Sequence, residues 1–182
     1  MQHPARRRFL LAGAATLPLA GVPSLARATA PAAVPRVLRF SHLHTGEKLS
    51  VEYFAGGGYL GDALEAVNRL LRDFRTGDVG AIDPALLDQL HAVRVATGST
   101  APFQVISGFR SSATNEALRG RSERSGVARR SLHLDGRAID IRLADVPLPR
   151  LRDAALVLRM GGVGFYPGSD FVHLDTGRVR AW

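Results

Sequence analysis

The sequence predicts an α+β fold, with helices packed on a small, mainly antiparallel sheet. Short runs of β-branched and aromatic residues divided by turn residues predict the strands. Between them lie segments whose apolar residues return every three or four positions, the helical repeat. With 182 residues, 46% hydrophobic and 22% charged, the chain has the balance of one soluble globular domain. That excludes a disordered tail, a collagen-like fibre and a multi-span membrane protein.

Val37–His42 and Lys48–Phe54 are expected strands, joined through the turn pair Thr45-Gly46. Gly56-Gly57-Gly58 breaks the pattern. From Tyr59 to Arg75, Leu60, Leu64, Val67, Leu71 and Phe74 recur at helical spacing, and Gly77 ends that helix. Asp83 before Pro84 is an N-cap followed by proline at the first helical position, which opens a helix to about Ala96. Phe103–Ile106 is a short buried strand, and a short helix, Ala113–Leu118, follows Ser107-Gly-Phe-Arg110-Ser-Ser112. Gly120–Arg130 is a polar loop. Ala138–Leu143 is a strand and Leu148–Met160 a helix stopped by Gly161-Gly162. Val163–Tyr166 and Phe171–Leu174 are the last strands.

Residues 1–28 carry the pattern of an address. Arg6-Arg7-Arg8-Phe9-Leu10 leads into an apolar run ending at Ala20, too short for the roughly 20 residues of a bilayer span. Ala26-Arg27-Ala28 then forms a small-x-small cleavage site. The Arg-Arg-x-Phe-Leu pattern resembles the twin-arginine export signal, with a general secretory signal as the alternative. The organisation expected is a signal peptide at 1–28, a linker at 29–36 and one domain at 37–182, working in the periplasm without membrane insertion. The formal charge is +8; without the four arginines of residues 1–28 it is 20 basic against 16 acidic residues. A mild positive excess suits an anionic partner without implying nucleic acid.

There are no cysteines, so disulfides, thiol nucleophiles and thiolate metal sites are excluded. Any metal must be held by His, Asp and Glu. Two segments invite that chemistry. In Ser131-Leu-His133-Leu-Asp-Gly136-Arg-Ala-Ile-Asp140, Gly136 permits a tight reversal that turns His133 and the strand residue Asp140 toward one centre. In Phe171-Val-His173-Leu-Asp175, strand alternation sends all three named residues to one face. Two imidazoles and a carboxylate suit zinc with an open fourth position, but spacing alone also permits ordinary core or surface histidines.

These segments, with Ser107-Gly-Phe-Arg110-Ser before them and the closing Arg180-Ala-Trp182, resemble the zinc D-Ala-D-Ala peptidase superfamily. The hedgehog signalling domain shares its fold. The likeness runs from the signal through Leu43-His44-Thr45-Gly46-Glu47 to the final residues, and within the superfamily it is strongest to exported murein endopeptidases. It implies a hedgehog/DD-peptidase-like fold with a central zinc site, His133, Asp140 and His173 as zinc ligands, and Arg110 facing substrate carbonyl or carboxylate oxygens. It implies a zinc peptidase cutting peptide cross-links of peptidoglycan, with stem peptides as partners, no nucleic acid, and a monomer. Relatives carry the general base three residues before the last zinc histidine, where Asp170 stands. Asp175 is the rival base, or else a group orienting a ligand. A D-Ala-D-Ala carboxypeptidase and a non-catalytic cell-wall-binding module are the alternative functions.

Other signals carry less. His42 and His44 alternate on a strand without an acid and suit an exposed or hydrogen-bonding role. His91 lies among apolar helix residues. Arg119, Arg121, Arg124, Arg129 and Arg130 cluster without the interleaved aromatics of a nucleic-acid platform. Gly161-Gly162-Val-Gly164 lacks the Lys-Ser/Thr of a phosphate loop.

Overall fold

Runs of strands and of helices follow one another along the chain, and among the described residues a single sheet collects all the strands. The computed structural model describes residues 34–120 and 128–182. The expected signal segment and most of the linker lie outside the described residues, as do Arg121 and Arg124. The strands are β1 (Arg36–His42), β2 (Lys48–Ala55), β3 (Gly58–Tyr59), β4 (Phe103–Ser107), β5 (Ala138–Leu143), β6 (Gly162–Tyr166), β7 (Phe171–Asp175) and β8 (Arg180–Ala181). The helices are α1 (Gly61–Leu70), α2 (Pro84–Thr97), α3 (Ser112–Gly120) and α4 (Leu148–Leu158), with 3-10 turns at Leu132–Asp135 and Pro167–Ser169.

The sheet order is β3-β2-β1-β4-β5-β7-β6-β8. Two neighbouring pairs, β1 with β4 and β6 with β8, are parallel; the rest are antiparallel. The α+β class and the mainly antiparallel pairing are as expected. The expectation of a small sheet is corrected: β3 and β8 widen it to eight strands. Each is two residues long, too short to show a period, and each is fixed only by the strand it pairs with.

The helix expected to reach Arg75 stops at Leu70. The carbonyl of Leu71, which would serve the next helical turn, accepts the N–H of Phe109 instead (2.7 Å), and the N–H of Arg75 turns to the Asp73 carboxylate (3.0 Å). Asp73 also receives the N–H and Oγ–H of Ser111. The helix yields its last turn to anchor the Gly108–Ser111 segment. α2 begins as expected, with Asp83 Oδ1 accepting the Ala85 N–H and Pro84 at its first position, and it ends at left-handed Gly98. α4 ends two residues early, at a left-handed Arg159.

One apolar cluster joins Leu38 and Phe40 of β1, Phe103 and Val105 of β4, and Ile139 and Ile141 of β5 with Val172 and Leu174 of β7. Leu86, Leu87 and Leu90 of α2 and Leu151 of α4 close over them. The intervening residues of β5 and β7, Asp140 and His173, therefore face the other side. His42 is buried rather than exposed, and its Nδ1 accepts the N–H groups of His44 and Thr45 at the hairpin turn. Burial first, and the neighbouring His44 second, pull its pKa down. Among the described residues no helix is long and apolar enough to cross a membrane.

Candidate metal centre

β5 and β7 pair antiparallel with Asp140 directly opposite His173. His133 reaches the same point from the 3-10 turn that precedes β5. That turn ends at Gly136, whose φ of +65° reverses the chain, and a Cβ there would collide with the Ala81 carbonyl. On the other flank, β4 carries a bulge between Val105 and Ser107 that sets Ser107 opposite Asp140. The bulge re-aims the strand and turns the following Gly108–Arg110 toward the centre.

The hydrogen bonds set how each histidine faces the centre. His133 Nδ1 lies 2.7 Å from the Gly108 carbonyl oxygen, which can only accept, so Nδ1 donates and the Nε2 lone pair is free. His173 Nε2 lies 3.2 Å from Asp175 Oδ2 and donates to that carboxylate, while Nδ1 faces the centre, 2.8 Å from Asp140 Oδ1. His133 Nε2 and His173 Nδ1 stand 3.2 Å apart. Asp140 Oδ1 is 3.3 Å from His133 Nε2 and 2.8 Å from His173 Nδ1. Two imidazole nitrogens and an anionic oxygen thus converge in a buried place, an arrangement that calls for a positive charge, either a proton or a metal ion that displaces it. The donor set fits a divalent cation of intermediate softness.

The electrostatics are those of an anionic pocket that draws in a positive charge, which without a metal is a proton on His173. Burial drives the Asp140 carboxyl up, but the two histidines outweigh it and hold it well below the usual carboxylate range. Burial likewise disfavours a charged His173, yet Asp140 and Asp175 outweigh it and push the imidazole up to about 9. Asp175 is fully buried and fully used. Its Oδ1 accepts the N–H groups of Gly162 (3.1 Å) and Gly177 (2.8 Å) and Arg180 Nη1 (3.0 Å). Its Oδ2 accepts Arg180 Nη2 (2.7 Å) besides His173.

A cavity of about 430 Å³ opens above the three donors, and Arg110, Arg130, Tyr166 and Trp182 are among its walls. Arg110 is buried; Nη1 donates to Asn115 Oδ1 (3.4 Å), Nη2 stands 3.9 Å from Asp140 Oδ2, and Nε has no partner. Burial lowers its pKa from the guanidinium value. Most of its donors remain unspent beside the metal donors.

The structure brings His133, Asp140, His173, Arg110 and Asp175 together. It does not bring Asp170. That residue caps the 3-10 turn before β7 with φ +54°, and its exposed carboxylate pairs with Arg142 rather than lining the cavity. Sequence reasoning assigned no role to the Gly108 carbonyl, Arg180, Tyr166 or Trp182. Arg180 and Trp182 belong to a motif already singled out, and their alternation was the available signal.

Residues 30–182 match the family model Peptidase_M15_2, described as peptidoglycan L,D-endopeptidase MepK. The chain belongs to this M15 peptidase family. Peptidoglycan L,D-endopeptidase MepK of Escherichia coli strain K12 is 44% identical over 177 residues, 97% of this chain and 96% of that protein. The Shigella flexneri protein of the same name has the same identity and coverage. Probable peptidoglycan L,D-endopeptidase MepK of Haemophilus influenzae is 40% identical over 178 residues, covering 97% of this chain and 95% of its own. The matched span of the M15 family model includes every residue of the centre described above.

Proposed function

We propose that this M15 family member is an exported zinc endopeptidase that hydrolyses peptide cross-links of peptidoglycan. The observation that carries the metal reading is the convergence of one nitrogen from each of His133 and His173 with the Asp140 carboxylate, all within 4.8 Å of one another, at the floor of a cavity. The names of the relatives support peptidoglycan as the substrate and an L,D bond as the one cut. A hedgehog-type fold around the site is part of the same proposal.

His133, Asp140 and His173 would hold the zinc. When bound, zinc supplies a Lewis acid for a peptide carbonyl and lowers the pKa of water to roughly 7. Gly108 and Asp175 keep each imidazole in the one tautomer that offers a lone pair to the centre. Arg110 offers its unspent N–H groups to the carbonyl oxygen as charge develops there. Asp170 takes the proton of the attacking water and passes it to the departing amine, its carboxylate first turning from Arg142. What supports Asp170 is its place three residues before His173, the place the family resemblance gives to the base; among the described residues, the carboxylates lining the cavity, Asp140 and Asp175, have other partners. A monomer is part of the same proposal.

The test is the mature protein loaded with zinc, incubated with cross-linked muropeptides and read by mass spectrometry. Cleavage to uncross-linked products, lost in His133→Ala, is expected. Fully zinc-loaded protein that leaves every cross-link intact overturns the proposal. Export by the twin-arginine route rests on Arg6 and Arg7; replacing both by Lys should stop periplasmic delivery, and unchanged delivery would assign the general secretory route.

A further inference from the structure

The site face of β6 is unusual in having almost no side chains. Gly162, Gly164 and Tyr166 lie on that face, paired with Asp175, His173 and Phe171 of β7. On the outer side β6 pairs with β8, Gly162 opposite Arg180. The two glycines leave a trough across which the side chains of β8 lean over β6 to reach β7. A Cβ at Gly162 would collide with the guanidinium of Arg180 and the carboxylate of Asp175. A Cβ at Gly164 would stand 2.8 and 2.9 Å from ring carbons of Trp182 and 2.9 Å from the Tyr166 ring, closer than side chains approach.

Through that trough the indole of Trp182 comes to rest 5.3 Å from the imidazole of His173. It is fixed from three sides. Its Nε1–H donates to Tyr166 Oη (2.7 Å), the Arg180 guanidinium lies 4.6 Å from its ring centroid, and its backbone N–H and C=O pair with Val163 and Phe165. Tyr166 in turn stacks on Phe171, centroids 4.7 Å apart. Yet 48% of the Trp182 surface stays open, and the residue lines the cavity. An indole held rigid and left half bare loses little entropy when a ligand covers it.

We propose that Trp182, with Tyr166, is a preformed platform on which the peptide substrate lays the aliphatic segment flanking the bond to be cut. The partner is the apolar part of a stem-peptide chain, which gains by covering an indole face, while the polar groups of the cut bond face Arg110 and the metal donors. Trp182 is a substrate-positioning residue. It touches none of the reacting atoms, and its contact with His173 is packing. This rests on the peptidoglycan reading above.

Trp182 is the single tryptophan of the chain, so its emission reports this platform alone. Cross-linked muropeptides titrated into metal-stripped full-length mature protein should shift that emission to the blue without turnover. In zinc-loaded protein, Trp182→Ala should raise KM about tenfold with kcat within about twofold, and zinc affinity by chelator competition should stay within about twofold. Trp182→Phe should recover most of the KM. Gly164→Ala, which keeps the indole but displaces it, should raise KM as well. An unmoved emission, or a Trp182→Ala protein with unchanged KM, overturns the platform while cleavage by the parent protein leaves the peptidase reading intact. A Trp182→Ala protein whose zinc affinity falls more than tenfold makes the indole a brace for His173 instead. If the parent cuts no muropeptide, the peptidase reading fails, and the emission shift still judges the platform.

Discussion

His173 presents one ring nitrogen to the centre, and its neighbours decide which one it is. Asp175 takes the Nε2 proton, and Arg180 with two backbone N–H groups keeps Asp175 charged, so Nδ1 is left to coordinate. Asp175→Asn should therefore weaken zinc binding by about 10–100-fold in chelator competition, with saturating zinc restoring much of the activity. Asp170→Asn should behave oppositely. It should keep zinc, because the carboxylate lies on Arg142, and lose roughly 10²–10⁴ of kcat, the contribution of a positioned base. Activity near that of the parent would leave Asp170 as the ion-pair partner of Arg142 and nothing more. The residue types at 133, 140 and 173 were legible in the sequence because each sits in a short local motif. The rotamer of Asp170 was not, since Arg142 is 28 positions away and only strand pairing brings it near.

Among the elements, the segment after α1 departs most from its local pattern, and the reason is the site. Leu71 and Phe74 continue the helical spacing, yet the Leu71 carbonyl and the Asp73 carboxylate are taken by Phe109 and Ser111, some forty residues on. Propensity is a weak prior against several hydrogen bonds to a buried carboxylate. Burial pushes the Asp73 carboxyl up, but hydrogen bonds from Thr114, Ser111 and Arg75 outweigh it and the pKa is lowered. A carboxylate depressed in the native state stabilises above its unfolded pKa, about 3.9, and that gain is lost as pH falls through the native value. The melting temperature of the parent should exceed that of Asp73→Asn at pH 6 and above, and the gap should close below about pH 4. A gap that widens in acid would show that the charge of Asp73 does not hold the Gly108–Ser111 segment. The bulge in β4 belongs to the same class of feature: one extra residue has no composition signature, and only the partner strand reveals it.

Across the whole molecule, the centre is where the chain ties distant parts of the sheet together. His133 is hydrogen-bonded to Gly108 after β4, while Asp140 and His173 lie on β5 and β7 in the middle of the sheet. A metal bound to all three stabilises the native chain over the unfolded one by mass action, about 4.1 kcal/mol at free zinc 1,000 times its Kd. At roughly 2–4 °C per kcal/mol for a domain of this size, removing zinc should lower the melting temperature by about 8–16 °C, and adding zinc back should restore it. Calorimetry with and without chelator checks this. No shift would mean that the three donors hold no ion.

The sequence by itself determined the α+β class, the three residues His133, Asp140 and His173 that the fold brings together, the start of α2 and the glycine that turns His133 toward Asp140. Each is written in neighbouring residues, as a period, a cap or a motif. The tertiary structure alone decided the early end of α1, the two-residue edge strands, the hydrogen-bond partners of each histidine and the seat of Trp182 against His173. These depend on which strands become neighbours, and that is fixed by burying one apolar face of the whole sheet, a quantity no local window of sequence contains.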